Sequence, residues 1–428
     1  MRMTFLLPVL LAATAYSTAP AAEQPQTITL SQALQRTLQH DTTLQAFPYQ
    51  LRMAEAQQLQ ASIKPNPELD LSLENVLGTG DNRALKGAEL TLSLSQQIEL
   101  GQKRERRLEL AQRQSQLQRD NYELARLDAL AATTMQYVEL LRLQYIQQWA
   151  RERISRQQSL LATAELRSKA GNLLDADISR IKLRLLRSQL QLADIQQTIE
   201  SRRYRLAARW HTTPDFARVT GDLALLPQVP ALSALQQQLQ QSAAMQRYIT
   251  LQRIAHSQLR LTEANSQADV RFSAGLRRNQ ANNDNALVFS LSMPLTLTDP
   301  NEGRRLAQAA DQALLARQQQ LASSELSLLL HQQWLNLQQL RDTVQAINTR
   351  LLPEAEKLRQ ISLSSYQQGQ LDLLSLLSAE EELAQAEHDL IQTQSRFHLT
   401  LLELERLTGQ PMTLTTTASA VALEQSYE

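Results

Sequence analysis

The sequence predicts a mainly α fold with a small β part, in which long helices carry four short strands arranged as two copies of one pattern. Three observations predict it. The 428 residues include only 10 glycines and 13 prolines, too few for the turns that a globular chain of this length needs, so the elements must be long. Leucines recur every seven residues over stretches longer than an ordinary bundle helix requires. Short segments of the first half return in the second at a nearly constant offset of roughly 200 residues.

Composition also excludes functions. With 43 basic and 43 acidic side chains the net charge is zero, which removes the bulk electrostatic case for nucleic-acid binding. The run Lys103-Arg104-Glu105-Arg106-Arg107 reads as a solvated helix face. The absence of cysteine excludes a disulfide framework, thiolate metal sites and cysteine lipidation.

Taken in order, residues 1–21 read as a cleavable export signal: Arg2, an apolar stretch from Phe5 to Ala13, and an Ala19-Pro20-Ala21 cleavage site. The apolar stretch is too short to span a bilayer, and no later run approaches a transmembrane helix. Residues 22–226 form a first structural repeat: a helix over 31–63, a strand pair within 67–97, a long helix over 102–169 and a further helix over 173–210. Residues 227–413 repeat that order as a helix over 233–266, a strand pair within 268–297, a long helix over 302–368 and a last helix over 371–407. A tail follows over 414–428. The repeat is carried by Ser93-Leu94-Ser95 and Ser290-Leu291-Ser292, by Arg106-Arg107-Leu108 and Arg304-Arg305-Leu306, and by Gly171 and Gly369.

At 1.5 Å per residue each long helix reaches about 100 Å. Leu110, Leu117, Leu124, Ala131, Val138 and Tyr145 form a seven-residue seam in the first; Leu314, Leu321, Leu328 and Leu335 form its counterpart. Such seams pack helix along helix in coiled-coil fashion.

The strands alternate with period two. Leu69, Leu71 and Leu73 oppose Glu68, Asp70 and Glu74; Leu90, Leu92 and Leu94 oppose Glu89, Thr91 and Ser93. In the second half, Phe272 and Ala274 oppose Arg271 and Ser273, while Leu287, Phe289 and Leu291 oppose Ser290 and Ser292. Two readings follow: a soluble sheet covered on its leucine face by helices, or a membrane barrel with that face outward and the charged face toward a wet lumen. Helices running about 100 Å away from the strands would cover only their roots, which favours the barrel. Four strands cannot close, because the smallest membrane barrels have eight, so several chains must share one barrel.

No nucleophile elbow, phosphate loop or carboxylate pair points to an enzyme. The six histidines and seven methionines lack metal-ligand spacing, so neither metal nor cofactor is expected. Glu380-Glu381-Glu382 reads as a solvated helix face.

The exported two-fold repeat of helix, strand pair, long helix, glycine and helix resembles the TolC-like outer membrane factors. Lys64-Pro65-Asn66-Pro67-Glu68-Leu69 and Leu94-Ser95-Gln96-Gln97-Ile98-Glu99-Leu100-Gly101-Gln102-Lys103-Arg104 are similar to the CzcC-like heavy-metal efflux branch. The resemblance implies a homotrimer with a 12-stranded barrel in the outer membrane of a Gram-negative bacterium, continued into the periplasm by an α-helical coiled-coil barrel. It implies a periplasmic adaptor, or membrane fusion protein, and an inner-membrane RND-type pump as partners, with outer membrane lipid around the barrel; the missing cysteine leaves the expectation of no lipid anchor.

Within that resemblance, Ala170-Gly171-Asn172 and Gln368-Gly369-Gln370 match hairpin tips that meet the adaptor. Asp177, with Asp175, Asp372 and Ser375 near the equivalent positions, lies where relatives line a closed periplasmic mouth, and Tyr366 matches a tyrosine that holds it shut. Glu68, Asp70, Glu74, Glu89, Arg271 and Arg277 would face the lumen and leave it acid-leaning. The expected function is therefore the passive exit duct of a tripartite pump, with heavy-metal cations as cargo. Drugs or a secreted polypeptide are alternative cargoes, and a periplasmic scaffold without a pore is the rival of another class.

Overall fold

The computed structural model describes residues 27–169, 174–295 and 297–411. The export signal, the tail over 414–428 and the first tip, Ala170-Gly171-Asn172, lie outside the described residues. The chain begins with β1 (Thr27–Ile28), α1 (Leu30–His40), α2 (Thr42–Ser62), β2 (Glu68–Glu74), β3 (Glu89–Ile98), α3 (Lys103–Lys169) and α4 (Asp175–Ala207). It continues through β4 (Arg218–Val219), α5 (Leu232–Gln240), α6 (Ala243–Asn265), β5 (Val270–Asn279), β6 (Asp284–Ser292), α7 (Glu302–Ala346), α8 (Leu352–Gln367) and α9 (Leu373–Thr408).

Each first helix, expected as one piece, is two. Asp41 ends α1 in an extended conformation and caps α2, its carboxylate accepting from Thr43 N at 2.9 Å and Leu44 N at 3.3 Å. Ser242 does the same for α6, accepting from Met245 N at 3.4 Å. A side-chain oxygen that satisfies the free amides of a new helix makes the break favourable at these two places. The second long helix also differs from expectation. Residues Ile347–Leu351 form a π turn between α7 and α8. Pro353 explains it: the ring has no N–H to donate and crowds the carbonyl four residues back, so the turn before it widens. By contrast, α3 runs unbroken for 67 residues.

Strands β2, β3, β5 and β6 form one antiparallel sheet in that order. Beside it α2, α3, α6 and α7 stand as neighbours in the same order. Sheet and helix layer therefore have matching edges, β2 with α2 and β6 with α7. At mid-length β1 pairs in parallel with β4, and the Tyr137 hydroxyl ties both, donating to Ile28 O at 3.0 Å and accepting from Thr220 N at 3.1 Å. The largest apolar core surrounds this junction, with Leu140, Leu206, Trp210 and Phe216 buried.

The two seven-residue seams have different fates. In α3, Leu110, Ala131 and Val138 are buried against neighbouring helices. In α7, Leu314, Leu321, Leu328 and Leu335 are 48 to 70% exposed, while a separate stripe of Leu330, Leu337 and Val344 is buried within the chain. The second seam thus has no partner within the described protomer.

Candidate functional site

The sheet has two unlike faces. Register places Leu69 opposite Leu94, Leu71 opposite Leu92 and Leu73 opposite Leu90, then Leu92 opposite Leu276, and Phe272, Ala274 and Leu276 opposite Leu291, Phe289 and Leu287. No helix covers this face; Leu69, Leu71, Leu287 and Leu291 are each about 70% exposed. Soluble monomers rarely leave a contiguous apolar face of this kind uncovered.

The opposite face is polar and internally paired. Arg271 contacts Glu68 near the helix end of the sheet, and Ser95 Oγ donates to Asp70 at 3.1 Å. Near the far end Arg277 lies 3.2 Å from Glu89 and 3.7 Å from Glu74, and donates to Thr91 at 3.0 Å. All six residues expected on a lumen therefore share one face, with four carboxylates against two guanidiniums.

The sheet is fixed to the long helix by a compact junction that sequence reasoning missed. Asp269 accepts from Lys103 Nζ at 2.6 Å, Gln97 Nε2 at 2.9 Å and Leu100 N at 3.1 Å. Lys103 is buried. Between strand and helix, Gly101 has φ +73°, where glycine avoids the strain of a side chain. Arg107 clamps Glu99 from the first turns of α3, its second nitrogen at 3.0 Å.

At the other end, the second hairpin turns at Gly369, with φ +79°. Gln368, Gly369 and Gln370 are all exposed. Asp372 caps α9, accepting from Ser375 N at 3.0 Å. Asp177 pairs with Arg180 on its own helix at 3.2 Å, and Asp175 and Ser375 are exposed. Tyr366 is buried among Leu160, Ala164, Ile181, Leu373, Leu376 and Leu377, so it binds hairpin to hairpin by packing. Its hydroxyl makes no hydrogen bond among the described residues. Arg167 of the first hairpin stacks over its ring at 4.5 Å and donates to its carbonyl. Burial pushes the Tyr366 phenol up, and Asp177 adds to that while Arg167 opposes it.

Above the tip, Glu381 and Glu382 are exposed, as the reading of Glu380-Glu381-Glu382 as a solvated face expects, and Glu380 is only partly exposed. Glu380 and Glu381 meet arginines from three other helices. Arg153 of α3 lies 2.7 Å from Glu381, Arg184 of α4 lies 3.8 Å from it, and Arg359 of α8 lies 3.5 Å from Glu380. Arg156 binds Glu387 through both nitrogens, at 2.6 and 3.1 Å, and lies 3.9 Å from Glu380. Trp149 Nε1 donates to Ala384 O at 3.1 Å alongside. No local pattern reveals these partners, because the α3 arginines stand 228 and 231 residues away in the chain.

Among the described residues, no group of three or more His, Asp or Glu could hold a metal ion, and no helix is long and apolar enough to cross a membrane.

Comparison with known proteins agrees with this geometry. The model of the family "Outer membrane efflux protein" matches residues 33–210. The cobalt-zinc-cadmium resistance protein CzcC of Cupriavidus metallidurans is 26% identical over 363 residues, covering 84% of each chain. Among solved structures, the outer membrane protein VceC of Vibrio cholerae superposes with a TM-score of 0.72 at 19% identity, over 90% of this chain and 96% of that one. The transmembrane channel CusC superposes with a TM-score of 0.75 at 13% identity, over 95% and 99%. A family match over residues 33–210, a relative along most of the chain and a shared fold over nearly all of it point the same way: the chain is similar to the outer membrane efflux proteins.

Proposed function

We propose that three copies of this chain form the passive exit duct of a tripartite RND-type efflux pump that exports heavy-metal cations across the outer membrane. The observation that carries the reading is the sheet: one face is an uncovered field of leucine and phenylalanine, the other is a paired polar wall. A lipid boundary outside and water inside satisfy both faces at once.

Closure by further copies is supported by the matching free edges. On one side stands α7 with its uncovered leucine seam; on the other, α2 exposes Tyr49, Met53, Leu59 and Ile63 beside an α2–α3 groove of about 1160 Å³. These surfaces differ, so the contact is heterologous and closes a ring only through rotation. Four strands from each of three copies give the twelve expected.

Cation cargo is supported by the acid excess of the polar face, which favours cations through field rather than through tight binding, and by the name of the CzcC relative. The energy would come from the pump, and the chain itself performs no catalysis. The adaptor would meet the exposed Gln368-Gly369-Gln370 tip and the first tip at Ala170-Gly171-Asn172. Asp175 and Asp177 would contribute carboxylates at the mouth, Tyr366 would seat the second hairpin, and Asp372 and Ser375 would shape its turn through the cap they form. Residues 1–21 would direct export, and the barrel would hold the protein in the membrane without a lipid anchor.

Two measurements test this. The protein should fractionate with outer membranes as a heat-modifiable trimer; recovery as a soluble periplasmic monomer would refute the duct. Deleting the gene should sensitise cells to zinc, cobalt, cadmium, copper or silver. Sensitivity to drugs alone would move the cargo and leave the duct standing.

A further inference from the structure

The charges of the four strands are sorted between the two faces with one exception. The carboxylates of β2, β3 and β6 fall on the polar face, together with Arg271 and Arg277. Arg278 does not. Register sets it opposite Leu90, itself opposite Leu73, and opposite Asn285, so it stands on the leucine face. Its partners also differ in kind. Arg271 and Arg277 are ion-paired across the sheet, whereas Arg278 donates to the neutral side chains of Asn285, at 3.4 Å, and Asn283.

The place of this arginine matters. It belongs to the last leucine row, one residue before β5 ends, on the side of the sheet away from the long helices. An arginine on the lipid side of a strand is costly at the bilayer midplane and nearly free at its surface. Arg278 thus stands where the apolar face stops. The two asparagines use two of its five N–H donors and hold the planar fork in place, leaving donors that suit a phosphate gripped through two oxygens.

The neighbouring loop repeats this chemistry. Gln280 N donates to Ala88 O at 2.9 Å, which holds the ends of the two hairpins side by side. In the first of them Arg83 and Lys86 are exposed, and neither makes an ion pair among the described side chains. Leu77, whose N donates to Ala84 O at 2.9 Å, and Leu85 are exposed in the same loop. Cations set among exposed leucines match an anionic headgroup that sits above its own acyl chains.

We propose that Arg278, with Arg83 and Lys86, forms a site on the outer wall of the sheet for the phosphate of an outer-leaflet lipid headgroup. This rests on the reading of the chain as an outer membrane duct. The occupant is a phosphorylated glycolipid rather than free phosphate, because the site continues the leucine face that acyl chains would cover. Its occupation would fix the depth at which the sheet sits in the membrane.

The test uses the full-length protein, purified from outer membranes in detergent and titrated with lipid A while bound lipid is counted by native mass spectrometry. Arg278→Gln should weaken lipid A binding about five-fold, and Arg83→Gln with Lys86→Gln by at least as much. Arg278→Lys, which keeps the charge and loses the fork, should lie between Arg278→Gln and the wild type. Arg341→Gln, an exposed arginine of α7, should leave binding unchanged. Lipid A stripped of its phosphates should bind wild type and variants alike, and weakly. If Arg278→Gln fails to fold, the double loop variant carries the test. Wild-type affinity in the variants, or equal binding of dephosphorylated lipid A, would overturn the site and leave the duct standing. Displacement of lipid A by low-millimolar inorganic phosphate would reveal a free-anion site and overturn the lipid assignment. Recovery of the wild type as a soluble periplasmic protein would overturn the duct and the site with it.

Discussion

Asp269 shows how much one carboxylate organises. Burial alone would push its pKa up, but Lys103, the Leu100 amide and Gln97 outweigh that and hold it below the ordinary carboxylate range. A folded-state pKa below the unfolded value stabilises at pH above the unfolded value, and that stabilisation is lost as pH falls through the folded one. The strand–helix junction should therefore weaken in acid, and Asp269→Asn should flatten the acid limb of the protein's thermal melting. Lys103→Met leaves the carboxylate without its cation and should cost about 2–3 kcal/mol, read as earlier unfolding on heating. Neither partner was legible in sequence. Lys103 is one member of a basic run and Asp269 lies in the stretch expected to hold the second strand pair, and nothing local links them because their contact spans 166 residues. The same distance hides the arginines of Glu380 and Glu381; the turn at Gly369 is local and so legible, whereas Asp372, named in sequence for the mouth, forms a helix cap that the sequence reading did not single out.

Elements were legible wherever a period repeats. Alternation placed the four strands because side chains in a strand change face at every residue, and the register of the sheet puts the leucines together on one surface. That surface gives a directional prediction. Leu92→Arg, on the apolar face mid-strand, should destabilise the membrane-inserted form by about 2–4 kcal/mol. Ser93→Asn, its neighbour on the polar face, should be close to neutral; equal losses of heat-modifiable trimer for both would show that the faces are not sorted by lipid and water. Interruptions of a period were harder to read. The breaks at Asp41 and Ser242 are single capping residues inside long apolar patterns, and Pro353 was the lone signal of the wide turn.

At the scale of the molecule, the two halves of the chain use their leucine seams differently. The seam of the first half is consumed inside the chain and that of the second is left exposed, an asymmetry invisible in sequence because both seams have the same spacing. Because Leu321 and Leu328 are exposed in the protomer, Leu321→Asp with Leu328→Asp should leave its helix content intact, measured by circular dichroism, while the trimer is lost on native gels. Retention of the trimer would move the intersubunit contact elsewhere. The π turn has a torsional consequence as well. A helix turns about 100° for each residue, so gaining or losing one residue from the wide turn would rotate α8 about its own axis by that amount while α7 stays fixed. The first hairpin has no such joint along α3. A twist applied at the tips would then be taken up by the second hairpin as rotation and passed by the first to the four-stranded sheet as torque.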